Sequence, residues 1–362
     1  MLKQYLSQTK NVNEEAKVAA KERLDSLVKP PGSLGELEEI AIKLAGISGK
    51  TVSDLSKRAV LIFASDNGVV EEGVSLAPQE VTYIQTQNFA KGITGVAVLA
   101  KLFNADLVVT DVGINGELNH PKVINKKIRK STSNIAYQAA MTREEAEQAV
   151  LVGIETAVEA AKNGYNLLGV GEMGIGNTTT TAAVLCALSG LSPKQAAGKG
   201  AGLTEEAYAN KIKTIQKALD INNPNGDDPL DVLAKVGGFD IGAMAGAFIG
   251  AAYMQVPVVI DGFISIVAAL LAARLNPLVK DYMFASHASF EQGYKHASEL
   301  LGLAPCLHLN MRLGEGSGCP IMFTIMDAAT AIIKDMGTFA QANIDEAYLE
   351  VAKDADFHIG GM

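Results

Sequence analysis

Several residue types are scarce in this 362-residue sequence, and each scarcity argues against a class of protein. There is no tryptophan, and the cysteines number only three: Cys186, Cys306 and Cys319. Because their number is odd and no C-x-x-C spacing occurs, the sequence predicts neither a disulfide framework nor a structural zinc site. Lys and Arg total 31 against 40 Asp and Glu, so the net charge is −9. With no basic stripe along the chain, we expect no nucleic-acid partner.

Long apolar runs are also scarce, and the one that most resembles a membrane span is composed of small residues. Residues 241–260 carry no charge and contain a G-x-x-x-G ladder at Gly242, Gly246 and Gly250. The stretch is rich in Ala and Gly rather than Leu, and Gln255 and Pro257 divide it. It therefore predicts a closely packed helix and then a buried strand ending at Asp261, with no membrane span. Since the N-terminus also lacks an apolar signal segment, we expect a cytoplasmic protein.

Short apolar runs alternate with Ala-rich segments that are typical of helices. The runs predicted as strands are 59–65, 106–112, 166–171, 256–261, 281–286 and 305–311. Strands that alternate with helices pair in parallel through right-handed crossovers. The predicted fold class is therefore α/β, a Rossmann-like, mainly parallel six-stranded sheet with flanking helices. Further helical patterns at 11–28, 326–336 and 344–353 frame it.

Polar residues follow each predicted strand. In chain order they include Asp66, Asp111, Glu172, Asp261 with Gly262, Ser286 with His287, and Arg312 with Glu315. A single Asp or Ser in such a place commonly caps the next helix. Six polar strand ends in succession instead predict the rim of a binding site, because ligands of parallel sheets bind beyond the carboxyl ends of the strands.

The stretch 166–183 contains a G-x-G-x-x-G pattern at Gly169, Gly171 and Gly174. A dinucleotide site expects this pattern after the first strand, with an acid about twenty residues later for the ribose hydroxyls. Here the pattern follows the third predicted strand, no such acid comes after it, and Glu172 inside the turn would repel a pyrophosphate. The context therefore argues against a dinucleotide.

The residues after this pattern are typical of a helix start, where free N–H groups and the helix dipole favour one phosphate. They are Gly174, Gly176, Asn177, Thr178 and Thr179. The alternative is an ordinary threonine-capped helix. A second glycine loop at 198–203, which includes Gly200, and Lys211 would complete an anion pocket.

The loop 309–320 places Glu315 between Gly314 and Gly316. Glycines let the backbone approach a ligand, and a carboxylate held there can act as a general base. The alternative is a surface turn with a solvent-facing glutamate. The sequence shows no cluster of metal ligands and no cofactor motif, so we expect neither a metal nor a cofactor. These features fit nucleotide or phosphoribosyl chemistry.

Taken together, seven motifs resemble the nicotinate-nucleotide–dimethylbenzimidazole phosphoribosyltransferases of cobamide assembly. The stretches that carry the resemblance are 27–38 (LVKPPGSLGELE), 65–82, 169–183 (GVGEMGIGNTTTTAA), 235–246 (KVGGFDIGAMAG), 258–265, 286–293 (SHASFEQG) and 311–318 (MRLGEGSG). The resemblance runs from about residue 20 to the C-terminus.

The resemblance implies transfer of 5-phosphoribose from nicotinate mononucleotide to a benzimidazole nitrogen, with inversion at C1′ and release of nicotinate. It implies that Glu315 is the general base. The substrate-binding residues that we predict are Asp66, Ala77, Gln85, Glu172, Gly174, Gly176, Asn177, Thr178, Thr179, Gly200, Lys211, Asp261, Gly262, Ser286, His287, Arg312, Leu313 and Gly314. It also implies a homodimer with a Rossmann-like domain, set at 29–334, and a discontinuous helical domain of residues 1–28 and 335–362.

Two departures from the family pattern leave the acceptor open. Asn67 stands where the family usually has histidine, and Ala77 stands where some members have serine in the acceptor pocket, which Gln85 lines. The acceptor is therefore a benzimidazole, a purine or a phenol, and a phenolic acceptor implies a heterodimer with a paralogue. Two other classes remain as alternatives, a nicotinamide-dependent oxidoreductase and a non-catalytic subunit.

Overall fold

One six-stranded sheet organises the chain, which a computed structural model describes at residues 1–200 and 202–345. Every strand pair in it is parallel, and the order is β3-β2-β1-β4-β5-β6. The strands are β1 (Arg58–Ser65), β2 (Ala105–Gly113), β3 (Val123–Asn125), β4 (Leu167–Met173), β5 (Val258–Ile260) and β6 (Met283–Ala285). The predicted Rossmann-like α/β fold is thereby confirmed.

Helices connect and flank these strands. In chain order they are α1 (Leu2–Gln8), α2 (Glu14–Asp25), α3 (Glu36–Ser48), α4 (Glu80–Lys91), α5 (Gly95–Leu102), α6 (Arg143–Lys162), α7 (Asn177–Ser189), α8 (Pro193–Ala196), α9 (Glu205–Asn222), α10 (Pro229–Val236), α11 (Phe239–Tyr253), α12 (Phe263–Leu275), α13 (Gln292–Leu301), α14 (Gly318–Asp335) and α15 (Phe339–Ala342). Two 3₁₀ helices span Gly68–Glu72 and Pro277–Tyr282.

The sheet differs from the sequence prediction in two strands. Residues 305–311 form no strand, and their one ladder contact is a parallel bridge between His287 and Leu307. The side chains of this run are at least partly exposed, so its apolar residues do not indicate a buried strand. The sixth strand is instead β3, whose three residues are too few to show a hydrophobic period.

The position of the site follows from the strand order. β1 pairs with β2 on one side and with β4 on the other, so successive connections leave the centre of the sheet in opposite directions. Where they diverge, a crevice opens beyond the carboxyl ends of β1 and β4, which is where parallel sheets bind ligands. Both strands are buried over nearly their whole length.

The glycine ladder of 241–260 serves close packing between α6 and α11. A Cβ added at Gly246 would lie 1.9 Å from the Val150 carbonyl oxygen, and one at Gly153 would lie 1.8 Å from that of Ala243. The two helix backbones are thus nearly in contact, which only glycine permits. The predicted helix and strand are α11 and β5. Among the described residues, no helix combines the length and hydropathy that a membrane span needs.

The chain divides into two compact units. The larger comprises residues 1–10 and 56–322, and contains the sheet. The smaller comprises residues 11–55 and the described residues from Phe323 on. These bounds differ from the predicted 1–28, 29–334 and 335–362. Residues 29–32, which look like a boundary in the sequence, form a turn inside the smaller unit.

A buried ion pair stabilises the turn at residues 29–32 in the smaller unit. Lys29 Nζ lies 2.8 Å from Glu38 Oε1, which also accepts the Leu34 N–H at 2.9 Å. An antiparallel bridge between Leu27 and Thr338 joins the two chain segments of this unit. The helix predicted at 326–336 is part of α14, whereas most of the one predicted at 344–353 lies outside the described residues.

We predict that Gly246→Ala lowers the free energy of unfolding by about 1–3 kcal/mol, because the added methyl group overpacks the α6–α11 contact. The loss appears despite the higher helix propensity of alanine, worth about 1 kcal/mol. Urea unfolding measures the change. In the control Gly116→Ala, the nearest atom to the added Cβ is a Tyr83 ring carbon at 3.3 Å, so stability should change little. Equal stability of Gly246→Ala and the wild type would contradict the packing argument.

Candidate active site

A cavity of about 370 Å³ lies at the carboxyl ends of the central strands. Glu172 at the end of β4, Asp261 after β5 and His287 after β6 contribute to its wall. The start of α7, residues 312–315 and, from the second glycine loop, Lys199, Gly200, Gly202 and Leu203 complete it. The polar groups that follow the third to sixth predicted strands therefore line one cavity, whereas Asp66 and Asp111 are not part of its lining.

Glu315 occupies a strained backbone position beside this cavity. Its φ is +64°, and its neighbours Gly314 and Gly316 have φ of +80° and +79°. A left-handed conformation costs a residue other than glycine about 1–2 kcal/mol, and such strain tends to be retained at functional sites. Gln85 Nε2 donates to Glu315 Oε1 at 2.7 Å, whereas Oε2 is buried without a hydrogen-bond partner in the protein. One carboxylate oxygen is thus oriented and the other is free to accept a proton.

Two buried acids hold the backbone around Glu315. Asp261 accepts the Gly316 N–H at 2.9 Å and the Gly318 N–H at 2.7 Å, one on each carboxylate oxygen. Glu172 Oε1 accepts the N–H of Glu315 itself at 3.2 Å. The loop is therefore attached to the ends of β4 and β5 by hydrogen bonds to charged or acidic groups, which are the stronger kind.

The glycines of the G-x-G-x-x-G pattern make room for neighbouring backbone. A Cβ at Gly171 would lie 2.4 Å from the Gly316 nitrogen, and one at Gly174 would lie 2.4 Å from the Ser65 carbonyl oxygen. The pattern therefore brings β4 close to the Glu315 loop and to β1. This use of the glycines differs from the cradling of a pyrophosphate.

Burial raises the pKa of each acid at this end of the cavity. For Glu172, which is 6% exposed, burial raises the pKa to about 8, and the charges of Asp240 and Asp261 add to the effect. Burial also raises the pKa of Asp261, with His287 acting against it. The pKa of Glu315 is raised by burial and by Asp261, while the Gln85 hydrogen bond lowers it. A raised pKa suits a carboxylate that takes up a proton during a reaction.

The other end of the cavity is suited to an anion. α7 begins at Asn177, after Gly176 with φ of +90°, and its N-terminus lines the cavity. Lys211 is only 1% exposed, and its Nζ donates to Thr178 Oγ1 at 2.9 Å. Burial lowers the pKa of Lys211 to about 8, with Glu291 opposing the change. A helix N-terminus and a buried lysine together form a site for one phosphate group.

The cavity lining also contains apolar side chains, as a site for a flat aromatic ring requires. They are Val74, Leu76, Ala77, Val81, Ile175 and Leu313. Among the described residues, no group of three or more His, Cys, Asp or Glu side chains is arranged to hold a metal ion.

Most of the predicted site residues line the cavity, but three do not. Asp66 is buried and accepts the Asn115 N–H at 2.7 Å, so it joins loops rather than facing the cavity. Ser286 hydrogen-bonds to the Asp261 carbonyl oxygen at 3.1 Å and to His287 Nδ1 at 3.0 Å. Thr179 is wholly buried on α7. None of these three residues is part of the cavity lining, and their substrate contacts stay predictions.

The residue-by-residue prediction did not include two acids. Asp240 is wholly buried and accepts a hydrogen bond from Asn177 Nδ2 at 2.9 Å. Glu291 lines the cavity near Lys211, which lowers its pKa against the larger opposing effect of burial. Asp240 carries a signal in the sequence, since it is one acid at the start of an otherwise uncharged apolar helix. Glu291 resembles an ordinary residue before a helix.

Comparison with known proteins agrees with this geometry. A family model described as phosphoribosyltransferase matches residues 9–344. The nicotinate-nucleotide–dimethylbenzimidazole phosphoribosyltransferase of Clostridium perfringens is 54% identical over 359 residues, which cover 99% of each chain. The chain belongs to this phosphoribosyltransferase family. The chain is also 47% identical to the enzyme of the same name from Clostridium tetani, over 344 residues that cover 95% of each chain. The crystal structure of CobT from Thermus thermophilus has a TM-score of 0.88 and 42% identity, covering 91% of this chain and 99% of that one.

Family membership confirms the resemblance read from the seven motifs and the prediction that the chain is an enzyme of this kind. Membership in a phosphoribosyltransferase family also argues against the two alternative classes, a nicotinamide-dependent oxidoreductase and a non-catalytic subunit.

We predict that stability depends on pH through Glu172. In the unfolded chain its pKa is near 4.5, and in the folded phosphoribosyltransferase it is about 8. The folded state therefore holds one more proton between these values. The stability that this proton gives is fully present below pH 4.5 and is lost as the pH rises through 8, by up to about 1.4 kcal/mol per pH unit.

Glu172→Gln replaces the protonated acid by a neutral amide and should remove this part of the pH dependence. Urea unfolding at several pH values between 5 and 9 measures it. In the control, Glu159→Gln on the exposed side of α6, the wild-type slope should persist. An unchanged slope in Glu172→Gln would show that Glu172 ionises normally in the folded enzyme.

Proposed function

We propose that the enzyme transfers the 5-phosphoribosyl group of nicotinate mononucleotide to a nitrogen of 5,6-dimethylbenzimidazole or a similar base. The products are nicotinate and α-ribazole 5′-phosphate, with inversion at C1′. The observation that carries this proposal is the free Oε2 of Glu315 in the same cavity as the anion site of Lys211 and α7. The names of the relatives given above support the choice of substrates.

The reaction requires the protein to position the two substrates and to supply one general base. As the bond from C1′ to the pyridinium nitrogen lengthens, positive charge develops on the ribose, and nicotinate leaves with a neutral ring nitrogen. No acid has to protonate the leaving group. The acceptor nitrogen attacks C1′ from the opposite face while the acceptor loses its proton to a general base.

We assign the base to Glu315. Gln85 orients its carboxylate through Oε1, and Oε2 remains available to the acceptor N–H. The raised pKa of the buried carboxyl makes it a better proton acceptor than an exposed glutamate. The apolar side chains around Ala77 and Leu313 suit a benzimidazole ring.

We assign the phosphate to the opposite end. Lys211 would exchange its hydrogen bond with Thr178 for one with a phosphate oxygen, and the α7 N-terminus would add its dipole. Fixing the phosphate orients the ribose so that C1′ faces the acceptor, which lowers the entropic part of the barrier.

Transfer to a phenol or p-cresol remains the second candidate, as one subunit of a heterodimer. Ala77 is compatible with a phenolic acceptor, because its small side chain leaves room in the cavity wall for rings of different shape.

The homodimer and the cytoplasmic location stay predictions. Apolar side chains exposed on and between α4 and α5 support self-association: Ile84, Ile93, Val98 and Leu102.

We predict that Glu315→Gln lowers kcat by about 10²–10⁴-fold with 5,6-dimethylbenzimidazole, because an amide cannot accept the proton. The amide oxygen still accepts the Gln85 hydrogen bond, so the KM for nicotinate mononucleotide should change less than a few fold. Chromatographic assay of released nicotinate measures both. Exposed Glu206→Gln is the matched control. Near-normal turnover of Glu315→Gln would refute the role, and no release by the wild type with any benzimidazole, purine or phenol would refute the proposed function.

We predict that Lys211→Met raises the KM for nicotinate mononucleotide by about 10–100-fold, the value of one hydrogen bond to a charged group. The KM for nicotinate riboside, which lacks the phosphate, should change little. Steady-state kinetics with both substrates gives the ratio. Lys213→Met, an exposed position on the same helix, is the control. An equal rise in KM for both substrates would show that Lys211 does not bind the phosphate.

A further inference from the structure

Three polar side chains on one face of α4 form a series of hydrogen bonds that ends at Glu315. Gln85 Nε2 donates to Glu315 Oε1 at 2.7 Å. Asn88 Nδ2 donates to Gln85 Oε1 at 3.2 Å, and Lys91 Nζ donates to Asn88 Oδ1 at 3.4 Å. Residues three apart on a helix are neighbours on its surface, so the three side chains lie in one row. The series connects the end of α4 to the carboxylate that we assign as the general base.

The two ends of this series allow only one direction of donation. A lysine ammonium group has donors only, so Lys91 contacts the Asn88 amide at its oxygen. An ionised carboxylate has acceptors only, so Glu315 requires the amide nitrogen of Gln85. Asn88 lies between them and directs its own nitrogen to Gln85 Oε1. That bond is partly buried, whereas the contact with Lys91 is exposed, so Asn88 is the stronger determinant of how the Gln85 amide is turned.

The direction of the Gln85 amide matters because its two ends have opposite polarity. A glutamine side chain ends in one acceptor and one donor group of nearly equal size, so a rotation by 180° leaves its packing almost unchanged. After such a rotation the Gln85 oxygen would face a Glu315 oxygen. This arrangement repels an ionised carboxylate and favours a protonated one, which cannot take a proton from the acceptor.

We propose that Asn88 is a positioning residue for the general base. By donating to Gln85 Oε1 it keeps a hydrogen-bond donor, rather than an acceptor, against Glu315 Oε1. Glu315 Oε2 then stays the atom that takes the proton of the acceptor. Asn88 is not part of the cavity lining, so it acts only through Gln85. This inference rests on the proposed function.

Acids lie on the other sides of Glu315. The charge of Asp261 raises the pKa of Glu315, as burial does, whereas the hydrogen bond from Gln85 lowers it. Glu172 at the end of β4 accepts the Glu315 N–H, and His287 acts on Asp261. The donor end of the Gln85 amide therefore opposes both burial and Asp261, and its loss should favour the protonated form of the base.

The first test is the pH dependence of kcat in Asn88→Asp. A carboxylate of the same shape accepts rather than donates, so the Gln85 amide should turn and present its oxygen to Glu315. Loss of one hydrogen bond to a charged group should move the acid limb of kcat to higher pH by about one unit. The KM for nicotinate mononucleotide should change less than a few fold, because Lys211 lies at the opposite end of the cavity. Exposed Asn119→Asp, which adds the same charge, should leave the profile unchanged.

A second variant separates the amide from the added charge. In a Gln85→Leu background, Asn88→Asp should cause no further displacement, because Asn88 has lost the group through which it acts. An equal displacement in both backgrounds would show that the new charge acts through space and would overturn the proposal. If Asn88→Asp does not fold, Asn88→Ala removes the donor without adding a charge. It should displace the acid limb in the same direction by a smaller amount, and an unchanged limb would overturn the role of Asn88.

A further measurement does not depend on turnover. The infrared difference between a protein and its Glu315→Gln counterpart isolates the Glu315 carboxyl group, and the pH at which its protonated band disappears reports the ionisation of Glu315. This pH should be higher by about one unit in Asn88→Asp than in the wild type. Equal values would overturn the inference even if nicotinate is released. The expected difference in an enzyme that releases no nicotinate would refute the proposed function alone.

Discussion

The bonds from Asp261 to the N–H groups of Gly316 and Gly318 are the interaction on which the reacting end of the cavity depends. They attach the Glu315 loop to the end of β5, while Gly171 lets the same loop approach β4. A buried carboxylate is costly unless such donors compensate it. The two N–H groups therefore help to compensate the burial of Asp261, and Asp261 in turn fixes the loop in which Glu315 has its left-handed backbone.

The cavity separates two electrostatic environments. Burial raises the pKa of Glu172 and of Glu315, and the charge of Asp261 adds to the effect on both. Around Lys211 and the start of α7, a buried cation and a helix N-terminus attract negative charge. A substrate with a phosphate at one end and a ring that gains or loses a proton at the other matches this division.

The sequence predicted the sheet well where hydrophobic runs were buried and poorly where they were not. β1, β2 and β4 are long buried runs, and each was recognised. The run 305–311 is also rich in apolar residues but lies partly exposed. Only tertiary packing distinguishes it from a buried strand. In the site, Glu172, Asp261 and Glu315 were recognisable because polar residues follow buried strands. The hydrogen bond between Asn177 and Asp240 was not, because these residues lie 63 positions apart.

By itself, the sequence determined the fold class, the family and the set of strand-end side chains that surround the cavity. These follow from local chemistry: buried runs, glycines that allow close backbone approach, and polar residues at strand ends. The tertiary structure decided that Asp66, Thr179 and Ser286 lie outside the cavity lining, that Oε2 of Glu315 has no hydrogen-bond partner in the protein, and that Asp240 and Asp261 lie near Glu172. Burial and hydrogen-bond partners come from distant segments, so ionisation is a property of the folded chain.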